Sequence, residues 1–146
     1  METDYRKLQR LLATQQFKAA DQETWRLMLW VASRENEGWL RKLDIEQFPC
    51  RDLRTIDQLW LQHSNGRFGF SVQKRIYDEV RKSYILLANH VGWRVNGDWL
   101  EYEDCSFELR APVGHLPWRA EVWWPSQLRM ARGGSFFAPR LVDCNL

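Results

Sequence analysis

The hydrophobic residues in the first part of the chain recur at the spacing of a helix face. The clearest run is Leu53, Ile56 and Trp60, in a helix that begins after Pro49 with Asp52 as its expected cap. The same periodicity predicts helices over about 4–13 and 17–34, a short helix with Asp44 and Gln47 at capping-box spacing, and a second central helix that reaches about Leu87. This pattern favours an all-α fold.

The connection between the two central helices is the most unusual stretch. Ser64-Asn65-Gly66 ends the first helix, since Asn and Gly tolerate the left-handed conformation, and Ser71 is the expected cap of the second. Between them, Arg67-Phe68-Gly69-Phe70 places two aromatics and a guanidinium in a turn of a few residues. Either the two phenylalanines are core anchors and the arginine is solvated, or the turn belongs to a pocket with aromatic walls and a guanidinium that faces an anion.

Helical periodicity stops after Leu87. The following residues predict irregular chain with a short strand pair around Asn96-Gly97, and residues 140–146 predict a last short helix or tether. Beyond Ala111, four of the five prolines break an apolar, arginine-rich stretch. That stretch is either a core-covering extension or a mobile apolar lip over a hydrophobic ligand, and the Pro and Arg around Trp123-Trp124 favour the lip. We expect one compact domain over 1–146, with long irregular C-terminal loops.

Composition narrows the function classes. A chain of 146 residues with 45% hydrophobic residues is long enough for one domain with a real core. Its nine tryptophans exceed ordinary usage, which raises the expectation of an aromatic ligand or a partner surface. A formal net charge of +2 argues against nucleic acid as a partner.

Cysteine usage and the N-terminus bear on the compartment. Cys50, Cys105 and Cys144 are odd in number and widely spaced, without a CxxC pair or a haem-attachment motif, which favours a reducing compartment. The sequence has no signal-length apolar run, no transmembrane stretch and no plastid transit peptide. These features suggest a bacterial cytoplasmic protein, although a chain trimmed of its leader would look the same.

Catalytic chemistry has little support in the sequence. His63, His90 and His115 are scattered, no cysteine lies in a nucleophile context, and the glycines of the central turn lack a phosphate-loop lysine. We therefore predict no catalytic residue, no metal site and no enzyme activity. A flat, apolar dianion such as a porphyrin fits the residues better, because its faces suit Trp, Phe and Leu and its propionates suit Arg.

Several blocks of the chain, in order, resemble one known family. They are the central stretch over 48–73 together with Trp25-Arg-Leu-Met28, Arg34-Glu-Asn-Glu-Gly-Trp-Leu40, Val91-Gly-Trp93, Trp99-Leu100 and the stretches over 111–117 and 140–145. The family is the "genomes uncoupled" tetrapyrrole-binding family, the porphyrin-carrying regulators of magnesium chelatase in oxygenic phototrophs. The resemblance covers nearly the whole chain.

The resemblance implies an all-helical fold shaped like a cupped hand, with a non-covalent tetrapyrrole in its palm. The ligand would lie between the loops over 38–48 and 115–130, above the turn at 65–70. The implied tetrapyrrole-binding residues are Trp39, Leu40, Phe48, Trp60, Asn65, Arg67, Phe68, Phe70, Trp93, Leu116, Trp118, Val122, Trp123, Trp124 and Leu128.

The same resemblance suggests ligands and partners. Protoporphyrin, its magnesium complex or a linear tetrapyrrole (a bilin) would be the ligand, and the large porphyrin-binding subunit of magnesium chelatase the protein partner. Cytoplasmic location is expected, with peripheral contact with photosynthetic membranes as an alternative. The other functional hypothesis is a ligand-free protein-interaction or sensory module that uses the apolar lip.

The sequence departs from the family pattern in three respects. It lacks the extra N-terminal helical domain of many cyanobacterial members, and its lip is unusually rich in tryptophan. Cys105 stands where a leucine or a similar residue is expected. These departures keep the binding scaffold and leave the ligand's identity and the chelatase role open.

Overall fold

The computed structural model describes residues 2–119 and 137–146 of the chain. Within these ranges it contains seven α-helices, a short antiparallel strand pair and a 3-10 turn, which confirms the predicted all-α class. The helices are α1 (Arg6–Ala13), α2 (Phe17–Val31), α3 (Lys42–Glu46), α4 (Cys50–Gln62), α5 (Phe70–Glu79), α6 (Tyr84–Val91) and α7 (Ala138–Asp143). The strands are β1 (Arg94–Val95) and β2 (Asp98–Trp99), and the 3-10 turn spans Tyr102–Asp104.

The core forms where α2 and α4 meet the turn that follows α4. Phe17, Trp60 and Phe68 are each at most 1% exposed, and their ring centroids lie 5.6 to 6.4 Å apart. The indole Nε1 of Trp60 donates to the hydroxyl of Thr24, 2.9 Å away, so its polar atom is satisfied inside the core. α1 packs on both α2 and α4, and its two inward leucines are fully buried.

The second central helix is shorter than predicted. It does not reach Leu87, because Arg81 and Lys82 adopt positive φ angles of 59° and 61° just after α5. Ser83 then caps a separate helix, α6, since its hydroxyl accepts a hydrogen bond from the N–H of Leu86 at 3.2 Å. The apolar periodicity of the sequence continues across this break, which is why the pattern alone predicts one helix.

Neither predicted cap of the central helices acts as a cap. Asp52 lies in the first turn of α4, where its carboxylate accepts from the Tyr5 hydroxyl at 2.5 Å. α5 begins at Phe70, and the carboxylate of Asp57 in α4 accepts from the N–H of Ser71 at 2.9 Å. Burial raises the pKa of Asp57, and the N–H groups at the start of α5 offset part of that shift.

Gly69 allows the close approach of the Asp57 carboxylate. Its φ of 141° and ψ of 160° lie in a region that is essentially restricted to glycine. A Cβ at this position would lie 2.7 Å from Oδ1 of Asp57. At Gly66, in the same turn, φ is also positive at 74°, but a Cβ there would meet no atom within 4 Å.

The chain between α6 and residue 119 is mostly irregular but well packed. The strand pair turns at Asn96-Gly97, as predicted. Trp93 is fully buried, and its Nε1 donates to the carbonyl of His115 at 2.8 Å. The His115 ring bridges two backbone groups, with Nδ1 2.8 Å from the carbonyl of Val91 and Nε2 accepting from the N–H of Ser106 at 3.1 Å. This stretch has little regular secondary structure, and these hydrogen bonds fix its backbone instead.

A disulfide joins the start of α4 to the end of α7. Cys50 and Cys144 have Cα atoms 5.2 Å apart and lie 94 positions apart in the sequence. The sequence does not predict this pairing, because the number and spacing of the cysteines suggest a reducing compartment. The compartment itself stays a prediction. Cys105 is a free, buried thiol.

Replacing Gly69 with alanine tests the approach of the Asp57 carboxylate to the turn. We expect Gly69→Ala to lower the free energy of unfolding by about 3 kcal/mol, from forbidden backbone angles together with the clash at Asp57. Gly66→Ala is the matched control, with an expected loss of about 1 kcal/mol from its left-handed φ alone. Urea titration at neutral pH measures both values. Equal losses in the two variants would contradict the proposed clash.

Candidate functional site

An exposed apolar surface lies at the end of α2 and the start of α3. Trp30 is 40% exposed, Trp39 38% and Leu43 48%, in a chain whose other tryptophans within the described residues are more deeply buried. Arg34 lies between α2 and α3 and contacts the Trp39 ring. We call these four residues the α2–α3 surface. Large exposed apolar side chains mark binding surfaces when they form a contiguous patch.

Arg34 fixes the position of the Trp39 ring. Its guanidinium carbon lies 5.2 Å from the ring centroid, and its Nε donates to the backbone carbonyl of Trp39 at 3.2 Å. The same Nε lies 3.3 Å from the carboxylate of Asp44, in a pair whose side chains are only 13% and 8% exposed. Trp39 is therefore held from one side by a cation and remains 38% exposed to solvent.

Asp44 organises the start of α3. The helix begins at Lys42, so Asp44 is its third residue and not the first residue of the predicted capping box. Its carboxylate accepts from the backbone N–H of Arg41 at 2.8 Å and from the Arg41 guanidinium at 2.9 and 3.0 Å. The hydrogen bond from the Arg41 side chain and the nearby charges lower the pKa of Asp44. The carboxylate thus stays ionised beside two guanidinium groups.

The described residues beside α3 include one cavity. A shallow cavity of about 200 Å³ lies beside α3 and is lined by Val31, Ala32, Asp44, Gln47, Phe48 and Pro49. Sites that enclose drug-sized ligands usually measure about 300–1,000 Å³.

Most of the predicted tetrapyrrole-binding residues that the structure describes are core residues. Trp39 and Asn65 are exposed and Arg67 is half-buried. The others are at most 5% exposed, namely Leu40, Phe48, Trp60, Phe68, Phe70, Trp93, Leu116 and Trp118. Val122, Trp123, Trp124 and Leu128, and with them the part of the predicted lip after residue 119, lie outside the described residues.

The two phenylalanines of the central turn have the role of core anchors. Phe68 packs edge-on against Phe17 at 5.6 Å, and Phe70 stacks on Phe137 at 5.5 Å with an angle of 11° between the rings. This is the first of the two interpretations of the turn. Direct contact of Phe68 or Phe70 with a ligand stays a prediction, and it would require the core to open.

The Arg67 guanidinium is not solvated but forms hydrogen bonds with neighbouring backbone carbonyls. Its Nε donates to the carbonyl of Leu109 at 2.9 Å, and one of its terminal nitrogens donates to the carbonyl of Ala111 at 2.7 Å. The backbone carbonyl of Arg67 in turn accepts from the N–H of Gly114 at 2.8 Å. Arg67 thus fastens the irregular chain near residue 110 to the central turn. A further bond from its guanidinium to a propionate stays a prediction.

Asp21 fixes the chain where it approaches residue 120. Its buried carboxylate accepts from the N–H of Trp118 at 2.7 Å, from the N–H of Arg119 at 3.3 Å and from the hydroxyl of Tyr102 at 3.0 Å. Burial raises the pKa of Asp21 to about 6, and these hydrogen bonds oppose the rise. The indole Nε1 of the buried Trp118 meets no hydrogen-bond acceptor among the described residues. Asp21 therefore positions a tryptophan that was predicted to contact the ligand.

Sequence reasoning misses Asp21 and the pairing of Arg34 with Trp39. A signal for Asp21 exists, since it lies four residues after Phe17 and so falls on the buried stripe of α2. A charged residue on an apolar stripe indicates a specific partner. The contact of Arg34 with Trp39 depends on the path of the loop between them, and helical spacing does not reveal it.

The remaining reactive groups are disposed for structure. His115 is buried, which lowers its pKa and favours the neutral ring that its two backbone bonds require. Burial raises the pKa of Cys105 to about 12, so its reactive thiolate form is rare at neutral pH. Within 2–119 and 137–146, no group of three or more His, Cys, Asp or Glu suits a metal ion. No helix in these ranges is long and apolar enough to cross a membrane.

The fold places the chain in the structural class of the GUN4 proteins. It superposes on the ligand-free structure of Arabidopsis thaliana GUN4 with a TM-score of 0.74 at 29% identity, over 98% of this chain and 94% of that one. GUN4 from Chlamydomonas reinhardtii gives a TM-score of 0.73 at 29% identity, over 78% of this chain and 79% of that one. The helical scaffold is thus shared along most of its length.

The sequence comparison identifies the family. The family model described as GUN4-like matches residues 1–131, and the chain belongs to this GUN4-like family, as the motif resemblance predicts. A Ycf53-like protein of Synechocystis sp. (strain ATCC 27184 / PCC 6803 / Kazusa) is 38% identical over 78% of this chain and 50% of its own length. A chloroplastic tetrapyrrole-binding protein of Arabidopsis thaliana is 32% identical over 75% and 46%, respectively. The chain therefore spans about half the length of the curated relatives that it matches.

The hydrogen bonds of Arg67 predict a structural cost for its removal. We expect Arg67→Ala to lower the free energy of unfolding by about 2–4 kcal/mol, because it leaves two largely buried carbonyls without donors. Arg67→Lys should recover part of the loss, since a single ammonium replaces the two-nitrogen fork imperfectly. Thermal and urea unfolding measure both variants. Stability equal to that of the native chain in Arg67→Ala would show that the two bonds contribute nothing.

The raised pKa of Asp21 predicts a pH-dependent stability. Its carboxyl holds a proton more tightly when folded, at about 6 against 3.8, so its contribution to stability is lost as the pH rises from about 4 to about 6. The lowered pKa of His115 acts oppositely and adds stability as the pH rises towards 6.5.

Asp21→Asn separates the two effects, because it keeps an acceptor for Trp118 and leaves His115 intact. The stability of this variant relative to the native chain should be about 3 kcal/mol more favourable at pH 7 than at pH 4. Urea titrations at the two pH values measure the difference. The same relative stability at both values would exclude a shifted Asp21.

Proposed function

We propose that this protein binds a tetrapyrrole, a porphyrin or a bilin, against the α2–α3 surface. The observation that carries the proposal is the exposed Trp39 ring, which Arg34 holds in place while leaving it open to solvent. A ring that is already fixed loses little conformational freedom when a flat ligand stacks on it, so more of the contact energy appears as affinity. Trp30, near the end of α2, and Leu43, in α3, are further exposed apolar residues close to Trp39 in the sequence.

The charges around this surface suit an acidic macrocycle. Arg41 is half-exposed at the side chain and is close to Trp39 in sequence, and Lys42 follows it. Asp44 already occupies much of the Arg41 guanidinium. Among the described residues, Lys42 pairs with Glu46 alone, at 3.5 Å across exposed side chains, a weak interaction. A propionate could displace such a surface pair at little cost.

The family supports the same ligand class. The Arabidopsis relative is named a tetrapyrrole-binding protein, and it shares 32% of its residues with this chain over the matched region. By this analogy the protein is a non-enzymatic carrier of pigment, or a regulator of magnesium chelatase in chlorophyll biosynthesis through the large porphyrin-binding subunit. We propose the cytoplasm as its location, as the sequence suggests.

A second candidate function is protein interaction without a pigment. Its supporting observation is a different apolar patch, in which Ile85 is 42% exposed, Leu86 51% and Val95 47%. Arg81 and Lys82 flank this patch and form no ion pair with any described residue. An acidic, amphipathic segment of a partner protein would match both features.

Trp39→Ala tests the pigment hypothesis. We expect it to weaken the binding of protoporphyrin, magnesium protoporphyrin or biliverdin by about tenfold, because stacking on the fixed ring and its apolar contact area are both lost. Absorbance titrations and tryptophan quenching, run side by side with the three pigments, measure the affinity. The fold should be unaffected, since the ring is exposed.

Leu86→Ala is the matched control, since it removes from α6 another exposed apolar side chain, which is 51% exposed against 38% for Trp39. It should leave the pigment affinity unchanged. If no pigment binds to the native chain at micromolar concentration, the proposed function is wrong. In that case, weaker binding of the purified chelatase subunit by the Leu86 variant would favour the second candidate.

A further inference from the structure

α7 packs against α3 and α5 with Leu141 buried, and four specific contacts add to this packing. The Cys50–Cys144 disulfide is the covalent one. One terminal nitrogen of Arg54 donates to the carbonyl of Cys144 at 2.7 Å, and Nε of Arg140 donates to the carbonyl of Phe48 at 2.9 Å. At the start of the helix, the ring of Phe137 stacks on Phe70 at 5.5 Å. Of these contacts, the disulfide is the one that thiol chemistry can open and close.

We propose that Cys50–Cys144 is a thiol–disulfide exchange site that sets how firmly α7 is held, and that its reaction partner is a dithiol, either a CxxC-type protein or a small dithiol. Cys50 is half-buried at the first position of α4, whereas Cys144 is 1% exposed. Cys50 is thus the more accessible of the two residues, and we take its sulfur as the point of attack. Cys105 is a buried free thiol and is not part of the disulfide.

The exchange proceeds in two balanced steps. A thiolate of the dithiol attacks Sγ of Cys50, so that a mixed disulfide forms, the Cys50–Cys144 bond breaks, and Cys144 leaves as a thiolate and takes a proton. The second thiol of the reductant then loses its proton and attacks the reductant's other sulfur, which is bonded to Cys50 in the mixed disulfide. Cys50 leaves as a thiolate, which is then protonated. The protein gains two thiols, and the reductant becomes a disulfide. An oxidised dithiol reverses both steps.

Opening the disulfide should affect α7 far more than the core. α7 has six residues, too few for a helix to be stable without tertiary contacts. The disulfide also joins cysteines that lie 94 positions apart, so breaking it increases the conformational entropy of the unfolded chain. The Phe17, Trp60 and Phe68 cluster includes no residue of α7 and keeps its contacts.

The position of the disulfide links α7 to the α2–α3 surface. Cys50 follows Phe48 by two residues, and Phe48 both accepts from Arg140 and lines the cavity beside α3. α3 itself packs against α7. If α7 loosens, α3 loses packing contacts with it. The proposal therefore extends to weaker ligand binding in the reduced protein. This extension rests on the proposed tetrapyrrole function, whereas the exchange site does not.

Hydrogen exchange with mass spectrometry tests the exchange site on the full chain. Dithiothreitol is the probe, and the number of alkylated cysteines, counted after unfolding in the alkylating reagent, should rise from one to three on reduction. After reduction, amides of α7 should exchange about tenfold or more faster, while those of α4 and α5 stay within about twofold. Oxidised dithiothreitol should restore the slow exchange.

Variants separate this device from a simple structural staple. Cys50→Ser with Cys144→Ser should reproduce the reduced protein without any reductant, and Cys105→Ser should behave like the native chain. The proposal is overturned if the disulfide resists reduction until the whole domain unfolds, if α7 exchanges equally fast in both states, or if every helix loses protection together.

A pigment titration on the same samples tests the extension. We expect the reduced protein and the double serine variant to bind protoporphyrin at least about threefold more weakly than the oxidised protein. Equal affinity, with α7 exchange still accelerated, would overturn the link to the α2–α3 surface and leave the exchange site supported. Absence of pigment binding in every state would count against the proposed function alone, because the hydrogen-exchange result does not depend on a ligand.

Discussion

The hydrogen bonds between the α4–α5 turn and the irregular chain at 109–117 determine how the rest of the structure is arranged. Arg67 donates to two carbonyls of that chain, and its own carbonyl accepts from Gly114. The N–H of Gly69 donates to Leu116, and the amide of Gln73 donates to two further carbonyls, at 3.1 and 2.8 Å. Neither segment has a helix or a strand to satisfy its backbone there, so each supplies what the other lacks. Without either of the two segments, several buried polar groups of the other segment would be unpaired.

This mutual satisfaction explains the composition of the turn. Its aromatics pack inwards, its guanidinium reaches across to another loop, and Gly69 lets the Asp57 carboxylate approach the start of α5. Most residues of this turn therefore have a defined structural role. This explains why the motif is specific enough to resemble a family. The motif thus describes the scaffold of the domain. The exposed aromatic surface lies elsewhere, between α2 and α3.

Periodicity in the sequence predicts the parts of the fold that local interactions decide. The helices that contain Leu8, Phe17 and Trp60 follow from apolar spacing, and the strand pair follows from Asn96-Gly97. The sequence does not reveal features that depend on distant partners, such as the disulfide, the acceptors of Arg67 or the bonds of Asp21 across about a hundred positions. The break before α6 is missed for another reason, because Arg81 and Lys82 do not ordinarily favour the left-handed conformation that they adopt.

The same division of roles applies to the candidate site. Nine tryptophans predict a flat ligand or a partner, but composition alone does not separate core tryptophans from binding ones. Trp60 and Trp93 each satisfy their indole N–H inside the domain, at Thr24 and His115, and so have no group left for a ligand. Trp39 is fixed by a cation but remains 38% exposed, and leaving this apolar surface in water has a free-energy cost. Because the folded domain alone does not repay that cost, the Trp39 ring is the feature that most strongly indicates an external ligand.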